Sequence, residues 1–421
     1  DIIAKVCKEL NIEIPDVRKL TKLVENNEKV WDLYKDGMVA TLNQAGTPSG
    51  KPQVMQYKPQ SVRELSMWVA GIRPSFASMK SYFLNRQPFS YNIPAFDELL
   101  KDSDNFVLFQ ESIMATLQFA GYEEDVTYGL LKAIAKKKKG IIEPIHDKFI
   151  EGFVAKTGSE EQALKVWTII ENAVNYGFNS SHAYSVALDS LYGAWLKATY
   201  PLVYFAVVLN VYKNSKDKQA ELINELEYFG ITLKGLQFGK SKSDYSYETE
   251  TNTIYKGIST VAYLNSQVAD NLYKLSKEKE YTSDDVVQLF LDILDGALAD
   301  NRQMNILIKL GFFKEFGEES ILLELYNTMT GYQTKKPNPI FTDNKKLDVK
   351  YSRTHKEKTK LVRIENIKEY YGLILKNAHL LPTTNLFDRL TSEVEYMGYA
   401  ETLDQSLGKN VYVVMDVNTK Y

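Results

Sequence analysis

At 421 residues the chain is long enough for two or three domains, and its single cysteine, Cys7, allows no internal disulfide. A net charge of −3 excludes a global attraction for nucleic acid, so any such binding must come from local patches of lysine and arginine. No apolar run is long enough to span a bilayer and no signal-peptide pattern opens the chain, which points to an intracellular protein with no membrane partner.

The pattern of Asp1 to Leu10 predicts a helix with Ile3, Val6 and Leu10 on one side, ending near Asn11 and closed off by Pro15. Residues 16–60 mix short helices with the turn-rich stretch Gln44 to Pro59. From Ser61 to Ala206 the spacing is mainly helical, broken at Arg73-Pro74, Pro88 to Pro94, Lys139-Gly140 and Tyr176 to Asn179, with a strand expected at Phe106 to Phe109. Lys216 to Phe229 reads as a helix, Gly230 to Tyr255 as a short strand pair, and Val261 to Phe313 as helices again. Lys335 to Lys360, rich in Lys, Asn, Asp and Thr, reads as a solvated linker. A helix follows Thr384, and Lys409 to Val417 has the pattern of a strand. The expected fold class is therefore mainly α with a few short strands, and no repeat of solenoid length is visible. Asp1 in place of an initiator Met, with a strand-like ending, reads as a segment of a longer polypeptide.

The stretch Tyr176 to Pro201 carries the most chemistry. Gly177 and Asn179 suit a tight turn, Ser180 or Ser181 can cap the first amides, and the following Ala, Val, Leu, Tyr and Trp recur at helical spacing up to Pro201. A helix start carrying Ser181 and His182 suits a phosphate or a nucleic-acid backbone, although on these residues alone a capped core helix with a satisfied histidine is the favoured reading. Lys132, Lys136 and Lys139 fall at i, i+4 and i+7, with Lys137 and Lys138 between them. Their mutual repulsion is relieved by a polyanion; a solvated helix end is the plainer alternative. Arg73 can grip phosphate oxygens in a bidentate fork, and Tyr184 can stack on a base or simply pack. His146, His355 and His379 are scattered without metal-ligand spacing. Asp102-Ser103-Asp104 has the spacing of a metal-binding pair but sits in a polar turn.

Phe178, Asn179, Ser181, His182 and Ala183, followed by Trp195, Leu196, Lys197, Tyr200 and Pro201, resemble the finger-domain signature of bacterial C-family replicative DNA polymerases, the α subunits of DNA polymerase III. Ser180 stands where that family usually has Lys. Ile72-Arg73-Pro74 resembles its Arg-Pro-Gly loop, Asn105 to Glu111 its Val-x-x-Tyr-Gln-Glu segment, and Ala120-Gly121-Tyr122 follows as in the family. Leu131 to Lys138 resembles its Arg-Arg-Ala-x-x-Lys-Lys-Lys stretch and Leu307 to Lys314 its Leu-Ile-x-x-Gly-Ala-Phe-Asp segment, all in the family's order.

The resemblance implies the end of a palm region in residues 1–29, a finger domain in 30–215, a helix-hairpin-helix-like domain in 216–330, a linker with helices in 331–383, and the lead-in to an oligonucleotide-binding barrel in 384–421. It implies that Arg73, Lys132, Lys136, Asn179, Ser181 and His182 bind the incoming dNTP, and that Lys137, Lys138, Lys139, Tyr184 and Lys197 contact primer-template DNA. The palm carboxylates that hold Mg²⁺ in the family have no counterpart here, so no catalytic residue is assigned and the segment is expected to be inactive by itself. At Lys256 to Asn265 the chain keeps Gly257 but has Ala262, Tyr263, Leu264 and Asn265 where the family's hairpin has lysine and glycines; this implies the hairpin without its phosphate contact. A sliding clamp and other replisome subunits are the implied partners, and the cytoplasm of a bacterium or of a virus-infected bacterial host the implied location. Gln288-Leu289-Phe290 reads as part of an amphipathic core helix rather than a clamp-binding peptide. A non-catalytic nucleic-acid-binding protein derived from such a polymerase, or an unrelated helical interaction protein, remain the alternatives.

Overall fold

The computed structural model describes residues 1–398, 400 and 402, apart from 74, 75, 77, 78, 137–139, 176, 334, 335, 345 and 346. The expected strand at Lys409 to Val417 therefore lies outside the described residues, as do most of the expected barrel lead-in beyond residue 398 and Lys137, Lys138 and Lys139. The chain is mainly helical and divides into two units, Asp1–Val208 and Leu209–Tyr421.

The first unit is built from α1 (Ile2–Glu9), α2 (Val17–Glu25), α3 (Glu28–Asp36), α4 (Gly50–Tyr57), α5 (Val62–Gly71), α6 (Lys80–Leu84), α7 (Pro94–Leu100), α8 (Gln110–Phe119), α9 (Glu124–Ala135), α10 (Ile142–Thr157), α11 (Glu160–Ala173), α12 (Ser180–Thr199) and α13 (Pro201–Val211). The long α12 packs against α5, α3, α1 and α2. Its small residues permit this crowding: Ala183, Ala187 and Ala194 are fully buried, and a Cβ on Gly193 would lie 3.0 Å from Leu42 Cδ2. Across this interface the Tyr34 hydroxyl meets Ser190 Oγ at 3.0 Å. Pro201 does more than end α12: with no N–H to lose and φ preset, it opens α13.

Helices α7 to α11 enclose a second apolar cluster, with Phe96, Ile113, Leu117, Leu131, Ile134, Phe149, Phe153 and Trp167 among its members. Burying each such side chain contributes about 1.5–3 kcal/mol before entropy is counted. The close approach of α10 to the end of α8 requires Gly152, because a Cβ there would sit 1.8 Å from the Ala120 carbonyl oxygen. Beside it the Tyr122 hydroxyl donates to Ile145 O at 2.7 Å, and burial pushes that phenol up to about 12, which keeps it a donor.

The second unit contains α14 (Lys216–Leu226), β1 (Thr232–Lys234), β2 (Ser246–Glu248), β3 (Thr253–Tyr255), α15 (Ser266–Glu278), α16 (Val286–Asp295), α17 (Asn301–Lys309), α18 (Glu319–Thr330), α19 (Glu357–Lys376) and α20 (Leu386–Met397). In place of the expected strand pair there are three strands in the order β1-β3-β2, with β1 parallel and β2 antiparallel to β3. Leu289, Phe290 and Ile293 of α16 meet Met304, Leu307, Leu325, Tyr326, Ile367 and Tyr370 in one core, so Leu289 and Phe290 are core residues as expected.

Lys335 to Lys360 is not a solvated linker. Phe341, Leu347, Val349 and Tyr351 are buried in that same core, Tyr351 N–H donates to Met329 O at 2.7 Å, and α19 already begins at Glu357. Isolated apolar anchors among charged neighbours hold it in place, a pattern that mean polarity hides. Phe106 to Phe109 also departs from expectation. It forms no strand, and only Phe109 pairs, in a parallel bridge to Phe178.

Candidate nucleotide and nucleic-acid site

The start of α12 is assembled from two distant segments. Phe178 N–H donates to Leu108 O at 2.9 Å and Gln110 N–H donates to Phe178 O at 3.0 Å, which aligns the beginning of α8 with the turn before α12. Asn179 is the cap, its Oδ1 accepting the His182 N–H at 2.9 Å; neither Ser180 nor Ser181 takes that role. Glu111 then completes the junction. Its Oε1 accepts from Asn179 Nδ2 and from the Ser180 N–H at 3.1 Å each, and its Oε2 lies 3.0 Å from the same N–H.

This corrects the expectation of a helix start with open amides. The first and third N–H groups already serve Glu111 and Asn179, and a carboxylate sits where the helix dipole favours negative charge. Glu111 is thus the side chain that organises this helix start and that residue-level reasoning passed over. The Asn105 to Glu111 resemblance was the signal available for it.

One cation, Arg73, sits at this junction, on the Phe178 ring rather than on the helix amides. The Arg73 guanidinium carbon lies 3.6 Å from the centre of the Phe178 ring, and the same ring meets the His182 imidazole at 5.1 Å between centres, nearly edge-on. Arg73, Ser181, His182 and Tyr184 are exposed, Tyr184 by 40%. The structure therefore brings Arg73, Asn179, Ser181 and His182 into one neighbourhood, with Phe178 as the ring between them.

Lys132 and Lys136 stand one turn apart at the end of α9, both exposed and neither ion-paired with a described residue. Lys132 Nζ lies 4.2 Å above the ring of Tyr128, one turn earlier. Leu131 and Ile134, on the opposite side of that turn, are buried with Ile113 of α8, the helix that carries Glu111. The helix ends at Ala135 with Lys136 as its cap, so its last carbonyls favour cations at this place with or without a ligand.

Lys197 does not join this site. It is fully buried, its ammonium donates to Ala40 O at 3.0 Å and lies over the rings of Tyr204 and Phe205. Seventeen residues of helix separate it from Ser180, roughly 25 Å at 1.5 Å per residue. Its amphipathic stem and one carbonyl partner make it a core residue, and the DNA contact expected of it has no exposed atom to form it.

Among the described residues no three His, Cys, Asp or Glu side chains come together to hold a metal ion. The described residues thus do not fit the divalent ions of a polymerase. Asp102 to Asp104 is a turn, with Asp104 left-handed at φ 52° and Arg63 bound both to Asp102 O at 2.9 Å and to Asp104 Oδ1 at 3.2 Å. No described helix is long and apolar enough to cross a membrane.

Residues 1–157 match the family described as the bacterial DNA polymerase III alpha subunit finger domain, a match that begins at the first residue rather than at residue 30. Similar proteins are the "DNA polymerase III subunit alpha" of Aquifex aeolicus (strain VF5), 27% identical over 319 residues, and that of Mycoplasma genitalium, 30% identical over 230 residues. The first alignment covers 73% of this chain and 27% of the relative, the second 53% and 26%. The protein of the same name from Halalkalibacterium halodurans is 25% identical over 412 residues, covering 94% of this chain and 36% of its own. The chain thus spans between a quarter and about a third of these relatives. Motif order, the helical fold and these similarities agree that residues 1–157 match the finger domain of the bacterial DNA polymerase III alpha subunit and that the chain is similar to such subunits over most of its length.

Proposed function

We propose that the first unit is the nucleotide-engaging region of a template-directed DNA polymerase acting in replication. Arg73, Lys132 and Lys136 grip the triphosphate of the incoming dNTP, while Asn179, Ser181 and His182 shape the pocket around it. Lys137, Lys138, Lys139 and Tyr184 contact primer-template DNA. The observation that carries this reading is the exposed Arg73 stacked on Phe178 at the start of α12, in contact through one ring with His182. A guanidinium resting over a ring has N–H groups left to bind phosphate oxygens.

Glu111 gives this pocket a defined shape. By occupying the first amide of α12 it leaves phosphate recognition to side-chain cations rather than to the helix terminus. The metal-dependent step itself, with Mg²⁺, is assigned to carboxylates outside this segment, since no group of three His, Cys, Asp or Glu among the described residues could hold the ion.

Fluorescence anisotropy on a labelled primer-template tests the reading, run across a salt series with Mg²⁺ and either correct or incorrect dNTP. Affinity is expected to fall steeply with salt and to tighten with the correct dNTP, and Lys132→Ala/Lys136→Ala is expected to lose both effects. Binding that ignores dNTP and is unchanged in the double variant would overturn the assignment of these lysines.

A further inference from the structure

We propose that Tyr263 and Arg302 form a stacking site for single-stranded DNA on the second unit, separate from the nucleotide pocket of the first. Tyr263 lies in the turn that leads into α15, with φ at +68°, a left-handed conformation that disfavours a residue with a bulky side chain. Burial does not compensate for it, because the residue is 57% exposed. Glycine would adopt the same backbone without strain, so the exposed ring is kept at a conformational cost.

Arg302, the second residue of α17, places its guanidinium carbon 3.4 Å from the centre of that ring. It is exposed and is paired with no carboxylate among the described residues. Three contacts hold the turn rigid. Asn265 Oδ1 accepts the Val268 N–H at 3.0 Å, Ala262 N–H donates to Tyr396 O at 2.8 Å, and Gln303 Nε2 donates to Tyr263 O at 3.3 Å. Gln303 is itself fixed by its reciprocal bonds with Asp300. The strained residue is thus held by α15, α17 and α20 together, as a preorganised contact would be.

The chemistry of the pair matches an unstacked nucleotide. An aromatic ring accepts the face of any base, and a guanidinium beside it either stacks or binds the phosphate. Further along α15, Tyr273 lies beneath two ammonium groups, Lys242 Nζ at 5.2 Å and Lys277 Nζ at 5.0 Å, which supply positive charge for a continuing backbone. Bases within a duplex have no free face for Tyr263, so a single strand is the ligand.

The test uses the full chain with a labelled oligo(dT) and, separately, a labelled blunt duplex. Tyr263→Gly is expected to raise the urea midpoint, because it removes the strain, and yet to weaken oligo(dT) binding about tenfold. Arg302→Gln should weaken oligo(dT) binding in the same direction, and duplex binding should stay unchanged in both. A urea midpoint at or above that of wild type in the first variant excludes misfolding as the cause of its lost binding. Wild-type affinity for oligo(dT) in Tyr263→Gly, no measurable oligo(dT) binding in wild type, or equal losses on duplex would each overturn the proposal. Lys132→Ala/Lys136→Ala separates the two readings: its dNTP response reports on the first unit, and its oligo(dT) binding still depends on Tyr263.

Discussion

A buried hydroxyl without a partner is a cost that a single substitution can remove. Tyr57 is 2% exposed, its ring stacks on Phe83 at 4.7 Å, and its Oη has no hydrogen-bond partner. Burial raises its phenol well above the ordinary range, so it never ionises to ease the problem. Tyr57→Phe keeps the stack and leaves no cavity, and is expected to stabilise the protein by about 1 kcal/mol, read as a higher urea midpoint; a lower midpoint would show that the hydroxyl has a partner after all. Glu248 gives the opposite case. Hydrogen bonds from Lys240 first, then Thr251, lower its carboxyl to about 2. Because the folded value lies below the unfolded one, this stabilisation is complete above the ordinary glutamate range of about 4.3 and disappears as pH falls toward the folded value. The difference in urea midpoint between wild type and Glu248→Gln should therefore be constant near neutrality, shrink through the acid range, and close near the folded value. It should also diminish in high salt, since the pair is partly open to water. A difference that stays the same across the acid range would mean that Glu248 acts by shape rather than charge.

At the scale of elements, the start of α12 depends on a residue of α8. Glu111→Ala removes the acceptor shared by the Ser180 N–H and the Asn179 amide, and should cost about 1 kcal/mol, as loss of a helix cap does. Glu111→Gln keeps a carbonyl acceptor and should cost less. Hydrogen exchange at the Ser180 and His182 amides is expected to quicken in the Ala variant while the amides of α10 and α11 keep their protection; uniform quickening would mean global destabilisation instead. Elements of this kind differ in how legible they are from sequence. The helices between Ser61 and Ala206 are readable because their apolar spacing is long and their breaks carry Pro, Gly and Asn, as at Pro88 to Pro94 and Tyr176 to Asn179. Glu111 is legible only through the Asn105 to Glu111 resemblance and not from spacing, because its partners are 68 and 69 residues away and a helix cap contributed by another helix has no local signature. Phe106 to Phe109 has strand composition, yet with only the Phe178 segment beside it no ladder forms. For Lys335 to Lys360 a signal did exist: Leu347, Val349 and Tyr351 alternate with charged residues at a spacing of two, and all three are buried. Averaged composition hid it. Of the candidate site, Arg73, Asn179, Ser181 and His182 were legible as a neighbourhood through their motif. Lys197 was not, since a lysine fully enclosed in apolar surroundings is indistinguishable in sequence from one on the surface.

At the scale of the whole molecule, the two units carry separate cores, one drawn from residues 93–174 and the other from residues 236–374. A chain organised in this way is not expected to unfold as one two-state system. Two substitutions can mark the units independently. Gly152→Ala forces a Cβ against the Ala120 carbonyl at 1.8 Å, a backbone atom that cannot swing aside, so α8 and α10 must separate at a cost of about 1–3 kcal/mol. Phe341→Ala leaves a cavity beside Tyr370, with a cost of about 3–5 kcal/mol if the site cannot collapse. Calorimetry of the full chain should resolve two transitions, Gly152→Ala lowering only one and Phe341→Ala only the other. Both substitutions lowering a single transition would mean that the cores unfold cooperatively. The same experiment bears on the two proposed ligand sites. If the units melt separately, a dNTP bound through Arg73 and Lys132 should raise only the transition that Gly152→Ala marks, and oligo(dT) bound at Tyr263 only the one that Phe341→Ala marks, because a ligand stabilises the unit whose folded form it binds.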